Sequence, residues 1–515
     1  MTSIPFPQKF VSTVSHWQAT NRGPTSLYLH DKDAELPASA DIVIVGGGMM
    51  GASLAYFLTR SGAAGANKKV VCLEAKDLAD GASGCRMPSV GPKTYRLWHE
   101  LQQPYPLGLG LSPEDAARVM QNERDNLDLV QQLVEKEGLA VDFWRGDLLE
   151  THHSQEQTDE SRRLFGEWRK TREKLGLGPD DTSFVDDASE AEKISRIKGT
   201  TSVHVRPGGS VHPHKLATAL MRLAIDSKDS DFSFHSWTPV LALPEPSAAG
   251  WTLKTSKGDI SAARVILATN AYTGTFFAKD EPLHSHIQPQ RGQAATITPP
   301  PTYAGAHALQ HTYNTLRGHY LVTTASGQIV LGGGWAPLVK EGTLPAAWVY
   351  GETNDGPESI DPALTKGALE FMKDNFAGWG SEAYGEGLTR TWTGIMSTSK
   401  DWLPLVGEVP GKAGLSVVAG FAGHGMSRIF TTARGYADTL ATGRWDAALL
   451  PPSFELTAER LERVAEQHSQ FVAEHGVHAR VVHGDIVYTD RTGPKTAGYH
   501  GFLGRVSNLL LGARS

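Results

Sequence analysis

The run "DIVIVGGGMMGASLAYFLTRSG", Asp41 to Gly62, constrains this chain more than any other feature. Four apolar residues, Ile42 to Val45, lead into Gly46, and Ala52, Leu54, Ala55 and Leu58 recur at helical spacing after Gly51, so a glycine loop joins a strand to a helix. Gly46 permits the tight turn, Gly48 leaves room for a pyrophosphate against the backbone, and Gly51 lets helix and strand pack closely. The helix opening at Met49 and Met50 then points its N-terminus at the phosphates. A second strand, "KKVVCLEA", ends in Glu74 and Ala75, where a carboxylate accepts the hydroxyls of an adenosine ribose and disfavours a 2'-phosphate. The predicted ligand is a dinucleotide other than NADP; FAD and NAD both stay open on this motif.

The loop "DGASGCRMPSVGP", Asp80 to Pro92, favours FAD. After Ala82, the Ser83 hydroxyl is placed to meet a phosphate while Cys85 and Arg86 run toward a flavin ring, and NAD folds do not need this second loop. With 515 residues the chain has room for two domains, or for one large domain with a second intruding into it. A net charge of -7 without a Lys/Arg block argues against a nucleic-acid or anionic-membrane surface, which leaves a small molecule as the expected partner. Two cysteines, Cys72 and Cys85, cannot form a disulfide framework, and "MTSIPFPQKF" lacks the apolar run of a signal peptide. The C-terminal "ARS" does not read as a peroxisomal address. A soluble, cytoplasmic protein is the expectation.

Several segments carry a resemblance. They are "HWQATNRGPTSLYLHDKDAELPASADIVIVGGG", "LEAKDLADGASG", "GGSVHPHKLATALMRLA", "ARVILATNAYTGTF", "QPQRGQAATITPP", "WTGIMSTSKDWLPLVGEVP", "VVAGFAGHGM" and "LPPSFELTAERL". Together they resemble the D-amino-acid oxidase/glycine oxidase superfamily of FAD-dependent amine oxidoreductases, most closely its fungal members, over roughly 15–464. The resemblance implies an α/β fold: a Rossmann-like FAD-binding domain of the GR2 type with an intruding α+β substrate domain built on an antiparallel sheet. It divides the chain into an arm (1–39), a discontinuous FAD domain (40–95, 196–278 and 389–444), a substrate domain (96–195 and 279–388) and a C-terminal extension (445–515). It also implies that Val240, Thr269 and Asn270 pass beside the cofactor, and that Gly423, His424, Gly425 and Met426 meet the pyrimidine edge of the flavin. There the helix after Ser427, closed by Gly443, would aim its N-terminus at the ring, where negative charge gathers on reduction.

Between these segments the pattern predicts a long helix from the Ser112 cap to Gly138 and a second, charged helix over 155–176. From Ile287 to Gly334 alternation predicts antiparallel strands forming a floor above the flavin, and "LPEPSAAG" reads as a hairpin loop. "HARVVHGDIVYTD" has the makings of a hairpin with no assigned role.

Metal chemistry is not expected: His204, His212, His214, His284 and His286 lack helical i, i+4 spacing and companion cysteines. No second nucleotide loop is present for NADPH, so the organic substrate supplies the electrons, as hydride from carbon beside nitrogen, and molecular oxygen or a carrier takes them. Amino-acid oxidases of the family hold the substrate carboxylate with arginine, yet the matching positions here are Met396 and Gly423. Arg291, Arg317, Arg390 or Arg428 are the candidate replacements. The expected substrate is a secondary or tertiary amine of secondary metabolism, and His424, Arg86 and Arg291 are the expected catalytic residues. Cys85 reads as a buried filler or as a thiol near the ring; the cofactor is expected to be non-covalent. Two alternatives stay open: a flavoprotein whose oxidation triggers cyclisation, and a non-catalytic flavin-binding protein.

Overall fold

The strand and helix expected around the glycine loop form as Ser39–Val45 and Met49–Leu58. The structure, a computed structural model, describes residues 12–85, 89–178, 181–243, 246, 250–477, 479–482 and 485–488. Ser39–Val45 pairs in parallel with Lys69–Leu73 on one side and with Gly258–Leu267 on the other. Asp231–His235 and Leu415–Ala419 extend the sheet in the same direction, and Leu405–Glu408 closes one edge antiparallel. Both faces are buried, which explains the unbroken apolar run. Ile42, Ile44, Val70 and Cys72 pack into one core with the glycine-loop helix, while Val43, Val45, Val71 and Leu73 pack into another with Trp251 and Leu253.

The second sheet has eight strands, in the order Gly387–Ser399, Ile287–Thr298, Ile329–Gly332, His319–Thr323, Thr312–Thr315, Trp144–His152, Ser202–Ser210 and Ser183–Val185. It is antiparallel apart from one seam, where Thr312–Thr315 runs parallel to Trp144–His152. The seam joins two antiparallel blocks from distant parts of the chain, so side packing sets its direction, with no hairpin to impose one. Sheet membership divides the chain differently from the sequence pattern: Ser202–Ser210 and all of Gly387–Ser399 belong to the second sheet.

The two long helices form at Pro113–Glu137 and Gln155–Leu175, each with a serine N-cap and a left-handed glycine at its end. The first packs against the helix Ile429–Thr442 beside the nucleotide sheet. The N-terminal arm ties the sheets together. Ser15 donates to the Gly84 carbonyl, Gln18 to Asp80, and Thr13 to the Thr393 carbonyl of the second sheet. At the other end, the helix Ala458–His475 is followed by the expected hairpin, Ala479–Val482 paired with Asp485–Tyr488. The loop expected at 243–250 and the tail after 488 fall largely outside the described residues.

Candidate active site

Residues of both sheets line one cavity of about 760 Å³. Its nucleotide side is the glycine loop. Gly46 has φ +109°, and a Cβ there would stand 2.7 Å from the Ala268 carbonyl oxygen. A Cβ at Gly51 would stand 1.8 Å from the Gly46 oxygen, so helix and strand pack too closely for a side chain. Gly48 is different: its φ is -69°, and a Cβ would meet only the Ser83 hydroxyl, at 3.3 Å. Space for a ligand, not the fold, accounts for glycine at 48. The Ser83 Oγ accepts from the Met49 N–H at 2.7 Å, at a helix N-terminus of the kind that suits a phosphate oxygen. The Glu74 carboxylate accepts from Gly47 N–H at 2.6 Å and Lys76 N–H at 2.8 Å; burial raises its pKa against these donors. Ala75, Ala82, Met50, Val240 and Thr269 complete this wall. A Cβ-free cradle, a helix N-terminus and a carboxylate at the end of the second strand fit the adenosine diphosphate half of FAD.

The other side centres on the turn 420–426. Ala422 and Gly423 both take positive φ, 47° and 74°, and Asn270 Oδ1 secures the turn by accepting from Gly420 N–H at 3.2 Å and Ser397 Oγ at 2.7 Å. Gly423, His424, Gly425 and Met426 line the cavity. Burial, with Lys93 and Arg428 nearby, holds the His424 imidazole well below its ordinary pKa, so it is neutral at pH 7, and its Nδ1 is buried without a hydrogen-bond partner. The helix Ile429–Thr442 does not offer its first N–H groups to the cavity as expected. Asn126 Oδ1 accepts from Phe430 N–H at 2.9 Å and Thr431 N–H at 3.2 Å, while its Nδ2 donates to the Met426 carbonyl at 3.0 Å. A side chain from another helix serves as the cap, and only the dipole of the helix remains to act on the cavity.

The arginine candidates resolve differently. Arg291 does not reach the cavity: it donates to the Trp348 and Asn354 carbonyls at 2.9 Å each and its guanidinium covers the Trp348 ring. Its neighbour Gln290 lines the cavity instead, because successive strand residues face opposite sides. Arg428 is fully buried against Glu123, with Nε and Nη2 both 2.8 Å from Oε1. Arg390 is exposed and donates to the Val14 carbonyl, and Arg317 is exposed. Arg86 lies outside the described residues. Cys85 is buried away from the cavity lining; its carbonyl accepts from Trp392 Nε1 at 2.7 Å, and its Cβ is what a side chain at Gly394 would strike. Met396 and Gly423 are neighbours: a Cβ on Gly423 would lie 3.8 Å from the Met396 sulfur.

Sequence reasoning missed a charged group in the cavity wall. Lys93, Arg96, Glu100, Glu150 and Arg206 all line it. Arg96 lies 3.0 Å and Arg206 3.4 Å from the Glu150 carboxylate; burial pushes that carboxylate up, but the two guanidiniums outweigh it and hold its pKa below the usual range. Burial raises Glu100 to about 7. The Lys93 ammonium has no ion-pair or hydrogen-bond partner among the described residues, and burial lowers its pKa. A signal existed for part of this. Glu123 and Asn126 sit at helical spacing within the apolar stripe of their helix. The histidine set is structural: His212 pairs with Thr20, His214 with Asn21, His284 with backbone carbonyls and His286 with Asp401, while His204 packs among aromatic rings. Among the described residues, no group of His, Cys, Asp or Glu is placed to hold a metal ion, and no helix is long and apolar enough to cross a membrane.

A dinucleotide cradle opening into a cavity between a parallel and a mostly antiparallel sheet defines a flavin-dependent oxidoreductase fold. The chain matches the model of the DAO family, FAD dependent oxidoreductases, over 41–439, and it belongs to that family. It is 23% identical over 389 residues to glycine oxidase of Geobacillus kaustophilus, covering 75% of this chain and 89% of that protein. Mitochondrial dimethylglycine dehydrogenase of Mus musculus is 24% identical over 432 residues, 79% of this chain but 43% of that longer protein. Among solved structures, L-proline dehydrogenase from P. horikoshii superposes with a TM-score of 0.62 at 18% identity, covering 83% of this chain and 99% of that one. The protein is thus an enzyme with FAD as its cofactor.

Proposed function

We propose that this enzyme oxidises a C–N bond of an amine, with hydride leaving the carbon beside nitrogen and oxygen as the final acceptor. The relatives are named for glycine, dimethylglycine and L-proline, all carbon–nitrogen substrates. FAD, held non-covalently by the glycine loop, Ser83 and Glu74, supplies the hydride acceptor. The observation that carries the choice of substrate is the pairing of Met396 and Gly423 in the cavity wall: where the resemblance calls for an arginine fork, a thioether and a glycine lie near each other. A secondary or tertiary amine suits that wall better than a free α-amino acid, and the aromatic side chains of Tyr320, Trp335, Tyr350 and Trp402 give it apolar surface.

Hydride can leave only when the nitrogen lone pair is free of a proton. Lys93, Arg96 and Arg206 face two acids, Glu150 and Glu100, and burial raises the Glu100 pKa to about 7, so basic groups outnumber carboxylates on this wall. That field disfavours an ammonium and lowers the pKa of a bound amine. It also favours the negative charge that reduction brings into the cavity. Anaerobic stopped-flow mixing tests the reading. N-alkyl or cyclic amines should bleach the flavin at least tenfold faster than alanine or glycine, and acid should release intact FAD. The bleaching rate should rise with pH as the bound amine loses its proton; Lys93→Met should move that midpoint up by about one unit. Fast bleaching by alanine would overturn the substrate class.

A further inference from the structure

The hairpin Ala479–Val482/Asp485–Tyr488 lies beyond the segment 41–439 that matches the family, yet it reaches the cavity. Among the described residues, Val481 is the one lining residue outside 45–429. A two-stranded hairpin is marginal alone, so neighbours must hold it. Its alternating side chains divide between two clusters. Ala479 and Ile486 pack with Phe471 of the preceding helix, with Tyr105 and Val481 against them. Val482 and Val487 pack on Ala336, Val339, Leu344 and Val349, in the segment that leads to Tyr350. The hairpin thus packs against two segments that lead into the cavity wall. On one side, Tyr105 Oη is hydrogen bonded to His468 Nδ1 at 2.8 Å, anchoring the loop that contributes Pro106 to Leu109 to the lining. On the other, Tyr350 bridges to Gln290 of the second sheet, and both line the cavity.

We propose that this hairpin caps the substrate side of the cavity, and that Val481 is a specificity-determining residue which limits the bulk of the substrate admitted to the cavity. Val481 contributes an apolar side chain to the lining, so the cap selects for an apolar substituent rather than a charged one. The cap rests on the amine-oxidase reading only for the choice of probe substrates.

Two full-length variants test it. Val481→Trp fills the cavity from the cap; Val487→Asp breaks the cap's docking on Val339 and Val349 without touching the lining. With N,N-dimethylethylamine and N-methyldibenzylamine as small and bulky probes, Val481→Trp should raise KM for the bulky amine at least tenfold relative to the small one, and Val487→Asp should lower that ratio. Hydrogen exchange read by mass spectrometry needs neither substrate nor turnover: Val487→Asp should speed exchange at least tenfold in 104–109 and 335–350 and leave 41–58 unchanged. Unchanged exchange in those two segments overturns the cap. An unchanged KM ratio in Val481→Trp overturns the role of Val481. Faster exchange in a protein that neither amine bleaches supports the cap and counts against the amine reading alone.

Discussion

The two sides of the cavity are built in opposite ways. The nucleotide side comes from one continuous stretch, the glycine loop and its neighbours between Val45 and Ser83, joined by Val240 and Thr269. The side facing the second sheet is assembled from Lys93, Glu150, Arg206, Gln290, Trp335, Met396 and His424, which are scattered over more than 300 residues of the chain. The first depends on backbone: glycines that leave room, N–H groups that point at an anion. The second depends on side chains held by other side chains, above all the Glu123–Arg428 pair and Asn126 under the turn 420–426. A local site tolerates change elsewhere, whereas an assembled one fails when a distant support is removed.

The sharpest way to break this contrast is Glu123→Ala. Glu123 is 0% and Arg428 1% exposed, so removing the carboxylate strands a buried guanidinium and should cost about 3–5 kcal/mol, read by urea unfolding. A loss below 1 kcal/mol would mean that water or another acid reaches Arg428, and that the turn does not depend on the pair. Next, Gly48→Ala should leave the apoprotein's unfolding free energy within about 1 kcal/mol of the parent, since an added Cβ meets only the Ser83 hydroxyl, yet weaken FAD at least a hundredfold, about 2.7 kcal/mol. Isothermal titration of apoprotein with FAD gives the second number. A yellow, tightly loaded variant would remove the phosphate from this loop. The smallest effect is expected at His424. As a neutral imidazole it offers a hydrogen bond of about 0.5–1.5 kcal/mol, so His424→Ala should slow anaerobic flavin reduction roughly twofold to tenfold while FAD stays bound. A hundredfold loss would show that the imidazole is charged during the reaction, contrary to its surroundings.

The difference between the two sides also sets what could be read in advance. Gly46, Gly51 and Glu74 announce themselves because strand, turn and helix follow one another and each glycine answers to a steric limit within a few residues. The turn at 420–426 was legible for the same reason. Arg291 was misplaced because composition does not say which face of a strand a residue takes; register against Gly387–Ser399 settles that, and puts Gln290 toward the cavity. Lys93 and Arg96 form no motif with Arg206 until folding sets Arg206 Nε on the Pro92 carbonyl and both guanidiniums on Glu150.

By itself the sequence determined the nucleotide-binding half of the fold, the FAD class of its ligand, the two long helices and the hairpin at 479–488. These rest on short-range periodicity and on the conformations that glycine alone adopts easily. Only the tertiary structure decided that the long helix Pro113–Glu137 lends Glu123 and Asn126 to the turn beside His424, that the arm's Ser15 and Gln18 hold the loop Asp80–Cys85, and that Val481 enters the cavity. Burial is the physical reason. A charge or amide inside the protein must find its partner wherever the chain happens to pass, and such pairings are set by packing of remote segments, not by their spacing along the sequence.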